Sequence, residues 1–190
     1  MSTAGNHHDP VSSPSTPRAT GAATRTIVSA LSHPDADVFA SVRELRDRAE
    51  IVDVLYRFGQ GQDLRDRALF ASAFAADAEL DFGPAAAAWG AVVAPMRGRK
   101  EIVDTILDLF DDRVDTTHQA TNARIALDGD TARLTALVEA QHLLTADRRT
   151  FALLKNPYDV DLVRDGARWV IHRVRIDNSW FTGDPTAIFG

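Results

Sequence analysis

Beyond its first few dozen residues the chain shows two periodicities in succession. Val38, Val42, Leu45, Ala49, Val52, Leu55 and Tyr56 recur mostly at spacings of three and four, which predicts an amphipathic helix running to about Phe58. Asp35 or Asp37 can cap its start, and Val52, Leu55 and Tyr56 are expected on its inner face. Gly59 and Gly61 are expected to break it, leaving Asp63 just past the break. A second helix is expected over Arg67–Phe74, with Leu69, Phe70 and Phe74 apolar, and a short strand over Ala78–Phe82, stopped by Gly83-Pro84. Residues 84–97 are Ala-rich and predict no element. A third helix spans Gly98 or Arg99 to Phe110, with Ile102, Ile106, Leu107 and Phe110 on one face.

From His118 onward the period changes to two. Strands are expected over 118–127, 131–146, 150–164 and 167–180, with hairpins at Asp128-Gly129-Asp130 and Asp165-Gly166. Helices first and a long antiparallel meander afterwards is the order of an α+β fold. Four long strands and three helices predict a curved antiparallel sheet, a cone-shaped half-barrel, wrapped around an apolar pocket. Parity along 131–146 puts Leu134, Ala136, Val138, Ala140, His142 and Leu144 on one face. Leu137, Leu143 and Leu153 fall on the opposite, outer face, where a homodimer or homotrimer contact is expected.

Composition narrows the choices. A chain of 190 residues, 45% apolar and 25% charged, suits one globular domain. Residues 1–35 are rich in Ser, Thr, Pro, Gly and Ala and are expected to be a disordered tail; residues 36–190 form the domain. The net charge of −6 lacks the concentrated basic face of a nucleic-acid or membrane-surface binder. No run approaches the ~18 apolar residues of a membrane span, and the N-terminus lacks a cationic start followed by an apolar run. A cytoplasmic protein is expected. The absence of cysteine excludes disulfides, thiolate nucleophiles and Cys-based metal sites.

The candidate chemistry is a carboxylate and two imidazoles. His142 lies on the apolar face of its strand, and His118 is expected at the mouth of its own. Asp63 follows two glycines that let the backbone turn; directed inward, it would need a partner. A capping role for the helix at 67–74 is the structural alternative. No HxH or HExxH spacing defines a metal site, no Lys-Ser/Thr follows Gly59-Gln60-Gly61 as in a phosphate loop, and no GxSxG elbow occurs. No metal or cofactor is expected.

Several segments together resemble the SnoaL-like branch of the nuclear transport factor 2 superfamily. They are Arg48–Phe58 followed by Asp63, Leu69-Phe70 with Phe74–Ala78, Gly98 with Glu101-Ile102, His118–Asn122 with Asp128–Asp130, and Trp169 with Trp180–Pro185. The resemblance covers about 40–186. It implies that Asp63 and His118 match the Asp–His dyad of scytalone dehydratase, hexachlorocyclohexane dehydrochlorinase and bile-acid dehydratase, with His142 as a further polar position. It also implies a substrate-binding wall of Tyr56, Phe58, Phe82, Trp89, Tyr158, Asp177 and Trp180. Two departures stand out. The hydroxyl that the dehydratases present is missing before Asp63 and at Phe58, and the dehydrochlorinase's pocket Arg falls near Asp177. The expected activity is a cofactor-independent lyase, a dehydratase acting on a small apolar ring compound of secondary metabolism such as a polyketide. A SnoaL-type cyclase or ketosteroid-type isomerase, and a non-catalytic binding or dimerisation module, are the alternatives.

Overall fold

The computed structural model describes residues 37–190; the expectation of a disordered tail over residues 1–35 lies outside them. The first helix, α1 (Val38–Asp63), begins where the Asp37 side chain accepts a hydrogen bond from the Phe39 amide (3.1 Å). It does not break at Gly59 and Gly61, which sit inside its last turns. Their role is close approach. A Cβ on Gly59 would stand 3.0 Å from His118 Cβ, and one on Gly61 would stand 2.5 Å from the Phe70 backbone. The helix stops at Leu64, Arg65 turns into the left-handed region (φ 53°), and Asp66 caps α2 (Arg67–Ala71) by accepting from the Leu69 amide (2.9 Å).

The inner face of α1 is Ile51, Val54, Leu55, Phe58 and Gln62. Leu55 is buried as expected, but Val42, Leu45 and Tyr56 are 58%, 58% and 49% exposed. The helix carries two apolar stripes, and the one that continues into an aromatic cluster is the one buried. Phe58 meets Phe70 at 5.4 Å and Phe74 at 5.7 Å between ring centroids.

Among the described residues the sheet has seven strands, curled and unclosed. Its main path runs β2 (Met96–Arg97), β1 (Phe74–Asp81), β6 (Arg168–Ile176), β5 (Phe151–Asp165), β4 (Thr131–Leu144) and β3 (Val114–Asp128). Within the described residues β1 and β6 pair in parallel and the other neighbouring strands antiparallel. The strand expected over 167–180 is divided: β6 pairs with the second half of β5, and β7 (Trp180–Gly183) with the first. β3 starts four residues before His118, so that side chain lies inside the strand rather than at its mouth. β1 begins at Phe74, inside the segment expected to be helical. Residues 84–97 supply most of a short helix α3 (Gly83–Ala86), a 3₁₀ turn (Ala87–Trp89) and β2. The helix α4 (Arg99–Phe110) is where the spacing put it, and α5 (Pro185–Phe189) is an additional one, capped by Asp184.

Period two governs the core. Even positions of β4 and β5 point inward, and Leu134, Leu154, Val160 and Leu162 are at most 2% exposed. The main core gathers around Trp169, Phe70, Phe74 and Ile171. A second cluster of Phe110, Val114, Ala140, Ala152, Leu154 and Ile188 fills the end near α5. Among the described residues no helix is long and apolar enough to cross a membrane.

Candidate active site

Asp63 is the last residue of α1 and faces β3. Three donors converge on its carboxylate: His118 Nδ1 lies 2.6 Å from Oδ1, Thr116 Oγ1 donates to Oδ1 (2.8 Å), and the His118 backbone amide donates to Oδ2 (2.8 Å). Thr116 and His118 are two positions apart on β3, so one strand edge supplies all three. Burial pushes the Asp63 carboxyl up, but the hydrogen bonds from His118 and Thr116 outweigh it and hold the group below its usual value. Asp63 is therefore a carboxylate at neutral pH. A carboxylate beside Nδ1 fixes the proton on that nitrogen and leaves Nε2 as the basic end of the ring.

Two cavities of about 60 Å³ and about 50 Å³ meet at His118, Phe58 and Tyr158. The first opens along α1 at Tyr56, Gly59 and Gln60. The second runs into the sheet past Phe82, Ile106, Phe110, His142, Asn156 and Phe189. The side chain of His118 is 6% exposed. His142 is 2% exposed, and its ring stands perpendicular to that of His118 at 5.5 Å. Phe110 and Phe189 pack on it at 5.1 Å and 5.0 Å. Burial, reinforced by the neighbouring His118, lowers its pKa to about 3, so His142 is neutral at physiological pH. Its Nδ1 has no hydrogen-bond partner among the described residues. Burial, and then the Asp63 charge, raise the Tyr158 phenol well above its usual value, keeping it a protonated donor.

Asp63, His118, His142, Phe58, Phe82 and Tyr158 are thus brought together, with Tyr56 at the rim. Three expected wall residues lie elsewhere. Trp89 stands behind Phe82 and Phe189, at 5.7 Å and 5.6 Å, and lines neither cavity. Trp180 pairs with Lys155 and stacks on its ammonium, because that register puts it on the outer face of the sheet. Asp177 follows inward-facing Ile176 and accepts from the Asn178 amide, outside both cavities. Sequence reasoning passed over Thr116, Gln62 and Asn156. Period two could have found Thr116 and Asn156, which share strand faces with His118 and Tyr158. Asn156 Oδ1 accepts from Asn178 Nδ2 (2.9 Å), and Gln62 Nε2 donates to the Phe58 carbonyl (3.1 Å). Among the described residues no group of three or more His, Asp or Glu side chains is arranged to hold a metal ion.

The fold recurs in solved structures. The Kfla4162 protein from Kribbella flavida is 24% identical, with a TM-score of 0.65 over 73% of this chain and 95% of its own. A protein from Novosphingobium aromaticivorans, provisionally named a scytalone dehydratase, is 19% identical (TM-score 0.65, 76% and 91% covered). A type 2 hexachlorocyclohexane dehydrochlorinase is 20% identical (TM-score 0.63, 78% and 96% covered). No curated protein sequence matches. Residues 43–175 match the model of the SnoaL-like domain, and the chain belongs to that family.

Proposed function

We propose that this protein is a cofactor-independent lyase that eliminates water from a small, largely apolar ring compound, with Asp63 and His118 as its general acid/base unit. The observation that carries this reading is the 2.6 Å contact of His118 Nδ1 with Asp63, its ring at the junction of two apolar cavities. Nε2 of His118 removes a proton from a carbon next to an electron-withdrawing group, and Asp63 stabilises the imidazolium that forms. The electron pair of the broken C–H bond becomes the new C=C bond as the C–O bond breaks. The imidazolium returns its proton to the departing oxygen, so water leaves and His118 is again neutral.

His142 supports this path as a neutral hydrogen-bonding group, since its low pKa keeps it from carrying the acid proton. Tyr158 supplies the hydroxyl absent at Phe58; their rings pack edge to face at 5.8 Å, so the donor comes from β5 instead of α1. Similarity to proteins named for dehydration and dehydrochlorination supports elimination. The cavities as closed hold only a few water molecules, so substrate entry needs lining side chains such as Tyr56 or Phe189 to swing aside.

The test is incubation with a panel of ring hydroxy-ketones in deuterated buffer, read by mass spectrometry. Loss of water that disappears in a His118→Ala variant is the expected result. Exchange or ring closure without water loss would assign the dyad to isomerase or cyclase chemistry, and no turnover of any kind would favour a binding module.

A further inference from the structure

The stripe of α1 that the core leaves out is too regular to be incidental. Val38, Val42, Leu45, Ala49, Val52 and Tyr56 are spaced 4, 3, 4, 3 and 4, the heptad seam of a two-helix contact. Val38, Val42, Leu45 and Tyr56 are 72%, 58%, 58% and 49% exposed, Ala49 is exposed and Val52 half-buried. Phe39, 79% exposed, flanks the first turn. A narrow seam at a period of 3.5 fits another helix better than a sheet or a flat surface.

The charges beside the seam identify the occupant. We propose that the α1 stripe binds the same stripe of a second copy of this chain, the two helices antiparallel about a two-fold axis. Setting Ala49 opposite Val52 and Leu45 opposite Tyr56 of the second copy satisfies every central layer. The same register brings Arg46 opposite Asp53, twice by symmetry. Each holds a partner on its own helix, Arg46 with Glu50 (2.9 Å) and Asp53 with Arg57 (2.8 Å), and at 73% and 57% exposed both can also reach across. A parallel pair would call on Arg48 instead, but Arg48 is committed inward to the Ile125 carbonyl (3.2 Å) and to Glu44, with 18% of its side chain exposed. The helix edge thus selects the antiparallel arrangement.

The outer face of the sheet, where an oligomer contact was expected, is the weaker candidate. Leu137, Leu143 and Leu153 are half-buried there, interrupted by the Glu139–Lys155 and Arg133–Asp159 pairs. The α1 pairing also reaches the site. Tyr56 belongs to the seam and lines the first cavity, so Leu45 of the second copy packs against a residue of the cavity rim. The helix pairing does not depend on the proposed reaction.

The test uses the full-length chain in analytical ultracentrifugation at micromolar concentrations, with circular dichroism to verify folding. Wild type is expected to be a dimer and Leu45→Glu a folded monomer. Arg46→Asp should weaken association about tenfold or more, and Arg46→Asp combined with Asp53→Arg should restore it. That rescue decides the matter even if Leu45→Glu fails to fold. Because the chain has no cysteine, a Leu45→Cys/Tyr56→Cys variant should give a disulfide-linked dimer on mild oxidation, and either single variant should not. A monomeric wild type, a dimer indifferent to Leu45→Glu, or one broken instead by Leu143→Glu would overturn the proposal.

Discussion

A carboxylate at the C-terminal end of a helix faces the negative end of the helix dipole, so Asp63 needs compensating donors, and β3 supplies three. Replacing it by Asn keeps the shape but can leave the His118 ring in the wrong tautomer. The expected loss of turnover is about 10⁴-fold, and His118→Ala should be as severe. Steady-state kinetics on the double variant should show little further loss, because the two residues act as one unit. Multiplying losses would separate them. His142 adds a pH dependence of stability. It titrates near 6.5 when unfolded and near 3 when folded, so between those values the unfolded chain binds the extra proton. Stability should therefore fall as pH drops through that window, with His142 contributing about 1.4 kcal/mol per pH unit. Denaturant titrations of wild type and His142→Phe across the window check this. An unchanged slope in the variant would assign the dependence to other groups.

At the scale of elements, the last turns of α1 are positioned by what their glycines leave out. Alanine ordinarily improves a helix interior by about 1 kcal/mol over glycine. At Gly61 the added methyl would overlap the Phe70 backbone, which cannot yield without moving α2. Gly61→Ala is expected to lower stability by about 1–3 kcal/mol, measured as a fall in the urea midpoint. Gly59→Ala meets His118 Cβ at 3.0 Å, a contact a small shift can relieve. It should cost little stability and substantially more turnover, because the shift displaces the base. Equal effects of the two substitutions on melting temperature would refute this assignment.

At the scale of the whole molecule, packing among the described residues extends through α5. The C-terminal Ile188 is 0% exposed, and its carbonyl accepts from Arg113 (3.1 Å). Residues 1–35 have hardly a large apolar side chain before Ile27 with which to join such a core. A chain lacking residues 1–35 is expected to melt within a few degrees of the full-length protein and to keep its turnover. A large fall in melting temperature by calorimetry would show that the segment contributes to the domain.

Periodicity by itself determined the long helices α1 and α4, the long strands β3 to β6 and the hairpins at Gly129 and Gly166, because side-chain alternation and turn chemistry are local properties. It also set the inward parity of His142. The resemblance supplied Asp63 and His118 as partners, a pairing across 55 positions that no local pattern contains. Tertiary structure decided the rest. It chose which of two apolar stripes on α1 to bury, because only contact with Phe70 and Phe74 distinguishes them. It turned two apparent helix breakers into points of close approach, since what a missing Cβ makes room for lies on another element. It put Trp180 outside and Tyr158 inside, because strand register, not the sequence of either strand, assigns a side chain to a face of the sheet.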